Sequence, residues 1–117
     1  MDWRIGTIGF SYSDWENVFY PREIGAAERL RFYAHQFNAV EIDSTFHAMP
    51  DAARVAKWAD AVDGDFRFAL KTPKAISHEL PIRAQLDPLL RFVEVARHLG
   101  VNLGPVLVQY PPTQGLI

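Results

Sequence analysis

Four short apolar runs punctuate the chain, at Trp3–Phe10, Phe37–Ile42, Phe66–Lys71 and Pro105–Tyr110. Between them lie longer stretches whose apolar residues recur at three- and four-residue spacing, the period of an amphipathic helix. The first stretch predicts a helix over about Ala26–Gln36, with Leu30, Tyr33, Ala34 and Phe37 along one face. The second has Pro50 at its entry and Asp51 near its N-terminus, where a carboxylate suits the helix dipole. It turns Ala52, Val55, Trp58, Ala59 and Val62 inward, and Gly64 follows its end. The third is punctuated by Asp87 as N-cap, Pro88 at the first helical position and Gly100 after the last turn. Its apolar stripe is Leu89, Phe92, Val93, Ala96 and Leu99.

Strand, helix, strand, helix, strand, helix, strand is the order of parallel βαβ units joined by right-handed crossovers. Strand starts near residues 4, 39, 66 and 105 are spaced by 35, 27 and 39 residues. A (β/α)8 barrel of about 250 residues uses roughly 31 per unit, so the spacing suits a barrel. The predicted fold is α/β, a partial TIM-like barrel with four parallel strands alternating with three helices. No linker or low-complexity tract divides residues 1–117, which read as a single incomplete barrel domain.

Several blocks along the chain resemble one family. They are Ile5-Gly6-Thr7-Ile8-Gly9-Phe10-Ser11-Tyr12-Ser13-Asp14-Trp15, Phe19-Tyr20-Pro21 and Phe37-Asn38-Ala39-Val40-Glu41-Ile42-Asp43-Ser44-Thr45-Phe46. Phe66-Arg67-Phe68-Ala69-Leu70-Lys71-Thr72-Pro73, Ile76-Ser77-His78 and Leu103-Gly104-Pro105-Val106-Leu107-Val108-Gln109-Tyr110-Pro111-Pro112 complete the set. In this order they resemble the YecE-like family of unknown function, domain of unknown function seventy-two. The resemblance implies a TIM-barrel-like fold in a chain about twice this long, and it supplies no established reaction. Past Pro111-Pro112 the family pattern continues into further βα units, whereas this sequence ends at Ile117. The expectation is therefore the N-terminal half of the family domain.

Composition narrows the function classes. Hydrophobic residues make up 49% and charged residues 22% of the chain, which excludes a disordered tail. The net charge of −2 gives no general attraction to nucleic acid or an anionic membrane. Zero cysteines exclude disulfides, thiolate metal sites and cysteine nucleophiles. No apolar run reaches the roughly 20 residues of a membrane span, and Met1-Asp2-Trp3-Arg4 lacks signal-peptide character. The expected setting is the cytoplasm.

In a parallel barrel, functional groups gather at the C-terminal ends of strands. The first run leads into Ser11, Tyr12, Asp14 and Trp15, which suit a polar ligand or a loop pinned by Trp15 with Asp14 as a cap. By the two-residue period, Glu41 points away from the helices, as a general acid or base or as a structural ion-pair anchor. Asp43, Ser44, Thr45 and His47 follow it. Lys71 shares that parity, so a Glu41–Lys71 pair across neighbouring strands binds a ligand or neutralises itself. His78, beyond a strand end, suits proton transfer, and Gln109 suits a ligand contact or an internal hydrogen bond. No phosphate-loop pattern, His-x-x-x-His pair or other metal spacing occurs, so no nucleotide or metal is assigned and the cofactor is unknown.

The leading function is a barrel that binds or acts on a small polar or anionic ligand, with Glu41, Lys71 and His78 as the catalytic set. Ser11, Tyr12, Asp14, Trp15, Ser44, Thr45 and Gln109 are the ligand-binding set. The alternatives are a non-catalytic binder, including a nucleic-acid binder that the net charge does not favour, and an incomplete chain without independent activity. Four strands without closure leave both sheet edges open, so self-association is a further expectation.

Overall fold

Leu30 and Tyr33, one turn apart, become buried in α1 (Ala26–Gln36), which forms where the apolar spacing places it. The computed structural model describes residues 2–113. Helix α3 (Ala52–Asp60) starts at Asp51, whose carboxylate accepts a 2.8 Å hydrogen bond from the backbone N–H of Arg54. Such a cap stabilises a helix by about 1 kcal/mol. Val55 and Trp58 form the buried side of this helix.

Three parallel strands, β1 (Ala39–Ile42), β2 (Arg67–Lys71) and β3 (Leu103–Leu107), lie in the order β1-β2-β3. Val40 pairs with Phe68, Glu41 with Ala69 and Ile42 with Leu70. Val40, Ile42, Phe68 and Leu70 are buried, while Ala39, Glu41, Arg67, Ala69 and Lys71 on the opposite face stay partly exposed. The alternation sorts the two faces by polarity, because one face packs on the helices and the other does not. Between β2 and β3 the register slips by an irregularity between Phe68 and Leu70.

The expected fourth strand, over Trp3–Phe10, does not form. Residues 3–9 run beside β1 as extended chain with one bridge, Ile8 to Glu41. Its donors account for this. The N–H of Ile5 goes to Asn38 Oδ1 and that of Thr7 to the Tyr33 hydroxyl, each at 2.7 Å. Only Gly9 N–H to Glu41 O and Glu41 N–H to Thr7 O are main-chain bonds to β1. Side chains thus replace most of the ladder. Trp3, Ile5 and Ile8 on this segment are exposed.

Three other expectations change. Among the described residues there are, besides three long helices, two single-turn helices, α2 (Ser44–His47) and α4 (Lys74–Ser77), each directly after a strand end. Helix α5 (Leu86–Ala96) has Gln85 at its N-cap, so Asp87 and Pro88 fall inside the first turn. Proline is tolerated there because the first-turn N–H groups have no intrahelical acceptor. Gly100 lies inside a 3-10 segment, Arg97–Asn102, with φ of 58° and ψ of −129°. A side chain resists that conformation, and Leu99 before it is buried.

No helix among the described residues is long and apolar enough to cross a membrane.

Candidate functional site

The polar groups converge where β1 and β2 end. Continuing the register by one residue brings Asp43 beside Lys71, and Lys71 Nζ lies 4.0 Å from Asp43 Oδ2. The expected Glu41–Lys71 ion pair is therefore replaced by Asp43–Lys71, because Glu41 sits directly across from Ala69, two residues short of the lysine. The parity argument for Glu41 and Lys71 still describes their shared face.

Glu41 is held above the ordinary glutamate range. The leading cause is a hydrogen bond between its carboxyl and that of Asp43, followed by burial and the Asp43 charge, with Lys71 opposing them. Asp43 Oδ1 is buried without a hydrogen-bond partner. Two adjacent carboxyls, one neutral and one ionised against a lysine, can act as an acid and an electrostatic anchor.

The raised value sets the pH dependence of folding. Native Glu41 binds its proton more tightly than the unfolded chain does, so stability falls as pH rises from the ordinary glutamate range to the raised native value. The Glu41→Gln variant should match the wild type below that window and exceed it in stability above it. Urea melts at pH 4 and pH 7.5 check the sign, and a variant less stable at the higher pH contradicts the shared proton.

Phe46 on α2 links the remaining groups. Lys71 Nζ stands 4.3 Å from the centre of its ring, a cation–π contact, and the His78 ring meets it edge-on at 5.1 Å. His78 caps the end of α4, is exposed, and hydrogen-bonds through Nδ1 with Ser77 Oγ at 2.9 Å. Thr45 is buried, and its single hydroxyl proton is shared between Lys71 O at 2.6 Å and Ile42 O at 3.1 Å. That satisfies Thr45 internally and ties β1 to β2, so it positions the strand ends.

A second group of residues surrounds a cleft of about 230 Å³ beside Asp43. Gly9, Phe10, Ser11 and Tyr12 form one wall, Ile42, Asp43 and Ser44 the floor, and Arg54 and Trp58 of α3 the other wall. Tyr12 donates its hydroxyl to Ile8 O, and Ser11 Oγ accepts from Arg29 Nη1 at 3.3 Å. Tyr20, whose hydroxyl donates to Phe10 O, is pushed up to about 12 by burial and Tyr33, with Arg29 opposing.

Three sequence-selected residues do not join this arrangement. Asp14 is exposed in a 3-10 turn, Ser13–Trp15, that has Tyr12 at its N-cap, so it is not the cap. Trp15 instead packs its ring on Tyr12 at 4.8 Å, Phe19 at 5.5 Å and Tyr20 at 6.0 Å. Gln109 is exposed two residues past the end of β3, so the expected inward side chain is not found. Conversely, Phe46, Asp43 as the lysine partner, and Arg54 escaped the sequence reading. Asp43 shares the parity of Glu41, but only the strand register, which the sequence does not reveal, sets it beside Lys71. Phe46 and Arg54 had no spacing signal, because their roles depend on how α2 and α3 sit. Among the described residues no group of three or more His, Cys, Asp or Glu is placed to hold a metal ion.

Comparison with known proteins supplies the lineage. The chain is 35% identical over 86 residues to UPF0759 protein YecE of Escherichia coli (strain K12), covering 74% of this chain and 32% of that one. It is 28% identical over 114 residues to UPF0759 protein YunF of Bacillus subtilis (strain 168), covering 92% and 39%. A DUF72 family protein of Enterococcus faecalis V583 superposes with a TM-score of 0.71 at 26% identity, over 97% of this chain and 42% of that one. One from Thermotoga maritima MSB8 gives 0.71 at 25%, over 92% and 44%. The chain thus spans between about a third and less than half of the length of these proteins. Residues 4–116 match the family described as "Protein of unknown function DUF72", and the chain belongs to that family.

Proposed function

We propose that this chain carries part of a barrel-type site for a small polar or anionic ligand, seated at the C-terminal ends of its parallel strands. In this reading the sheet is one portion of a TIM-like barrel, whose ligands sit at that end. The observation that carries it is the run of contacts from Glu41 through Asp43, Lys71 and Phe46 to His78. Glu41 serves as the general acid, its proton held more tightly by the neighbouring Asp43 carboxyl. Lys71, oriented between Asp43 and the Phe46 face, stabilises negative charge on the ligand. His78, exposed at the rim, carries protons to and from solvent.

The order of the contacts fits those roles. A proton leaving Glu41 places a second negative charge beside Asp43, which the lysine partly offsets. A ligand that accepts the proton leaves those two carboxylates side by side, so Lys71 is the group that offsets the charge while the ligand is held, and Glu41 takes a proton back readily afterwards. Nucleic acid is the weaker reading, because phosphate-backbone binding needs several cations on one surface and two of the basic groups near the strand ends are already engaged with carboxylates.

Saturation-transfer NMR with a mixture of polar metabolites tests the proposal on the wild type and on Glu41→Gln/Lys71→Met. At least one phosphorylated or carboxylated compound should bind the wild type and bind the double variant tenfold or more weakly, with the fold intact by amide spectra. Binding that is equal in the two proteins, or absent from both, overturns the assignment.

A further inference from the structure

The cleft between the first loop and α3 is separate from the Lys71–Phe46–His78 group and shares only Asp43 with it. We propose that this cleft is an oxyanion subsite, in which Arg54 holds the phosphate or carboxylate end of a ligand whose polar part extends toward Asp43 and Glu41. The inference rests on the ligand-site reading above and adds to it the charge class and the residue that selects it.

Arg54 sits in the first turn of α3, and its guanidinium carbon lies 5.4 Å from the centre of the Trp58 ring. Stacking on a buried indole restricts the guanidinium and leaves its N–H fork free for bidentate bonds to an oxyanion. Among the described residues no carboxylate lies within 4.0 Å of it, whereas Arg29 is paired with Glu16 and Lys71 with Asp43. Asp51, three residues earlier, is spent on the backbone N–H of Arg54. Arg54 is therefore the uncompensated cation of the cleft.

The opposite wall is suited to the same ligand. Ser11 Oγ accepts from Arg29, which leaves its O–H free to donate across the cleft. Ser44 lines the floor. Asp43 is the one carboxylate lining the cleft, and an approaching anion meets it with one oxygen buried and the other facing Lys71. Its repulsion is reduced accordingly. A volume of about 230 Å³ suits one anionic group with a few attached atoms rather than a nucleotide.

Inorganic phosphate and succinate are the probes, titrated separately into the 117-residue chain at constant ionic strength, with chloride as reference and amide and indole NMR as readout. At least one should give saturable shifts at Ser11, Ser44 and the Trp58 indole. Arg54→Gln should weaken that binding tenfold or more, Arg54→Lys should recover part of it, and Arg91→Gln, exposed on α5 away from the cleft, should change it less than twofold. Tighter phosphate than succinate points to a phosphate ester, and the reverse order to a carboxylate ligand. Shifts no larger than those of chloride, or equal affinity in Arg54→Gln, overturn the subsite. Arg54-dependent anion binding, together with metabolite binding indifferent to Glu41 and Lys71, overturns the broader reading and leaves the subsite standing.

Discussion

Replacing Phe68 with alanine should lower the unfolding free energy by about 3–5 kcal/mol, the usual cost of emptying a core aromatic position. Phe68 has no exposed surface and lies on the middle strand, paired to Val40 on one side and Leu103 on the other. Its ring stacks on Trp58 at 6.3 Å and meets Phe66 edge-on at 5.0 Å. Removing it opens a void between the sheet and α3 that neither strand can follow inward, because both are held by the ladder. Total stabilities of small domains are about 5–15 kcal/mol, so the loss is a large fraction of the whole. Urea denaturation should show a lower midpoint with an unchanged slope. Phe68→Leu should cost markedly less. A loss below about 1 kcal/mol for the alanine variant would mean that β2 is not the centre of the core.

The same residue shows why much of the fold was legible in the sequence. Phe68 and Leu70 alternate with Ala69 and Lys71, and Val40 and Ile42 alternate with Ala39 and Glu41, so each strand declares its two faces. Leu30 and Tyr33, Val55 and Trp58, and Phe92 and Ala96 declare their helix faces by three- and four-residue spacing, and all six are buried. What failed was local chemistry. The run Trp3–Phe10 reads as a strand by composition, yet Asn38 and Tyr33 take its donors with side chains, and no periodicity announces that exchange. At α5, Asp87-Pro88 resembles a cap and a first position, but the helix begins one residue before the aspartate, with Gln85 as cap and its side-chain amide donating to Leu80 O.

The candidate site was legible to the same depth. Two-residue parity put Glu41 and Lys71 on one face, and they are there. It could not choose between Glu41 and Asp43 as the partner of Lys71, because that depends on a stagger between strands. Gln109 was assigned by extending the last strand through the whole apolar run to Tyr110, whereas β3 ends at Leu107. Parity means nothing once the ladder stops. The Phe46 ring is placed by a single helical turn, too short to leave a periodic trace.

The second large effect is expected at Gly6, where alanine should detach the first segment from the sheet. A Cβ built on Gly6 would lie 1.8 Å from the carbonyl oxygen of Ala39 and 3.1 Å from the Tyr33 hydroxyl. The oxygen belongs to the backbone of β1, so it cannot swing aside as a side chain would. Tyr33 OH approaches the same carbonyl at 3.1 Å and also accepts the N–H of Thr7, so a shift of the segment breaks that network as well. The cost should be about 2–4 kcal/mol, in the range of strained or displaced backbone. Its functional consequence follows from the two bonds between Thr7, Gly9 and Glu41. Once they part, Phe10 and Ser11 leave the cleft, and the main chain at Glu41 loses its outer neighbour. Hydrogen exchange should therefore show Gly9 and Glu41 losing protection together in Gly6→Ala, while Val40 to Phe68 pairing on the other side persists. The oxyanion probes should lose affinity in the same variant although Arg54 is untouched. Retained protection at Gly9 would mean that the segment tolerates a methyl group, and that its close approach to Ala39 is not what holds the first wall of the cleft in place.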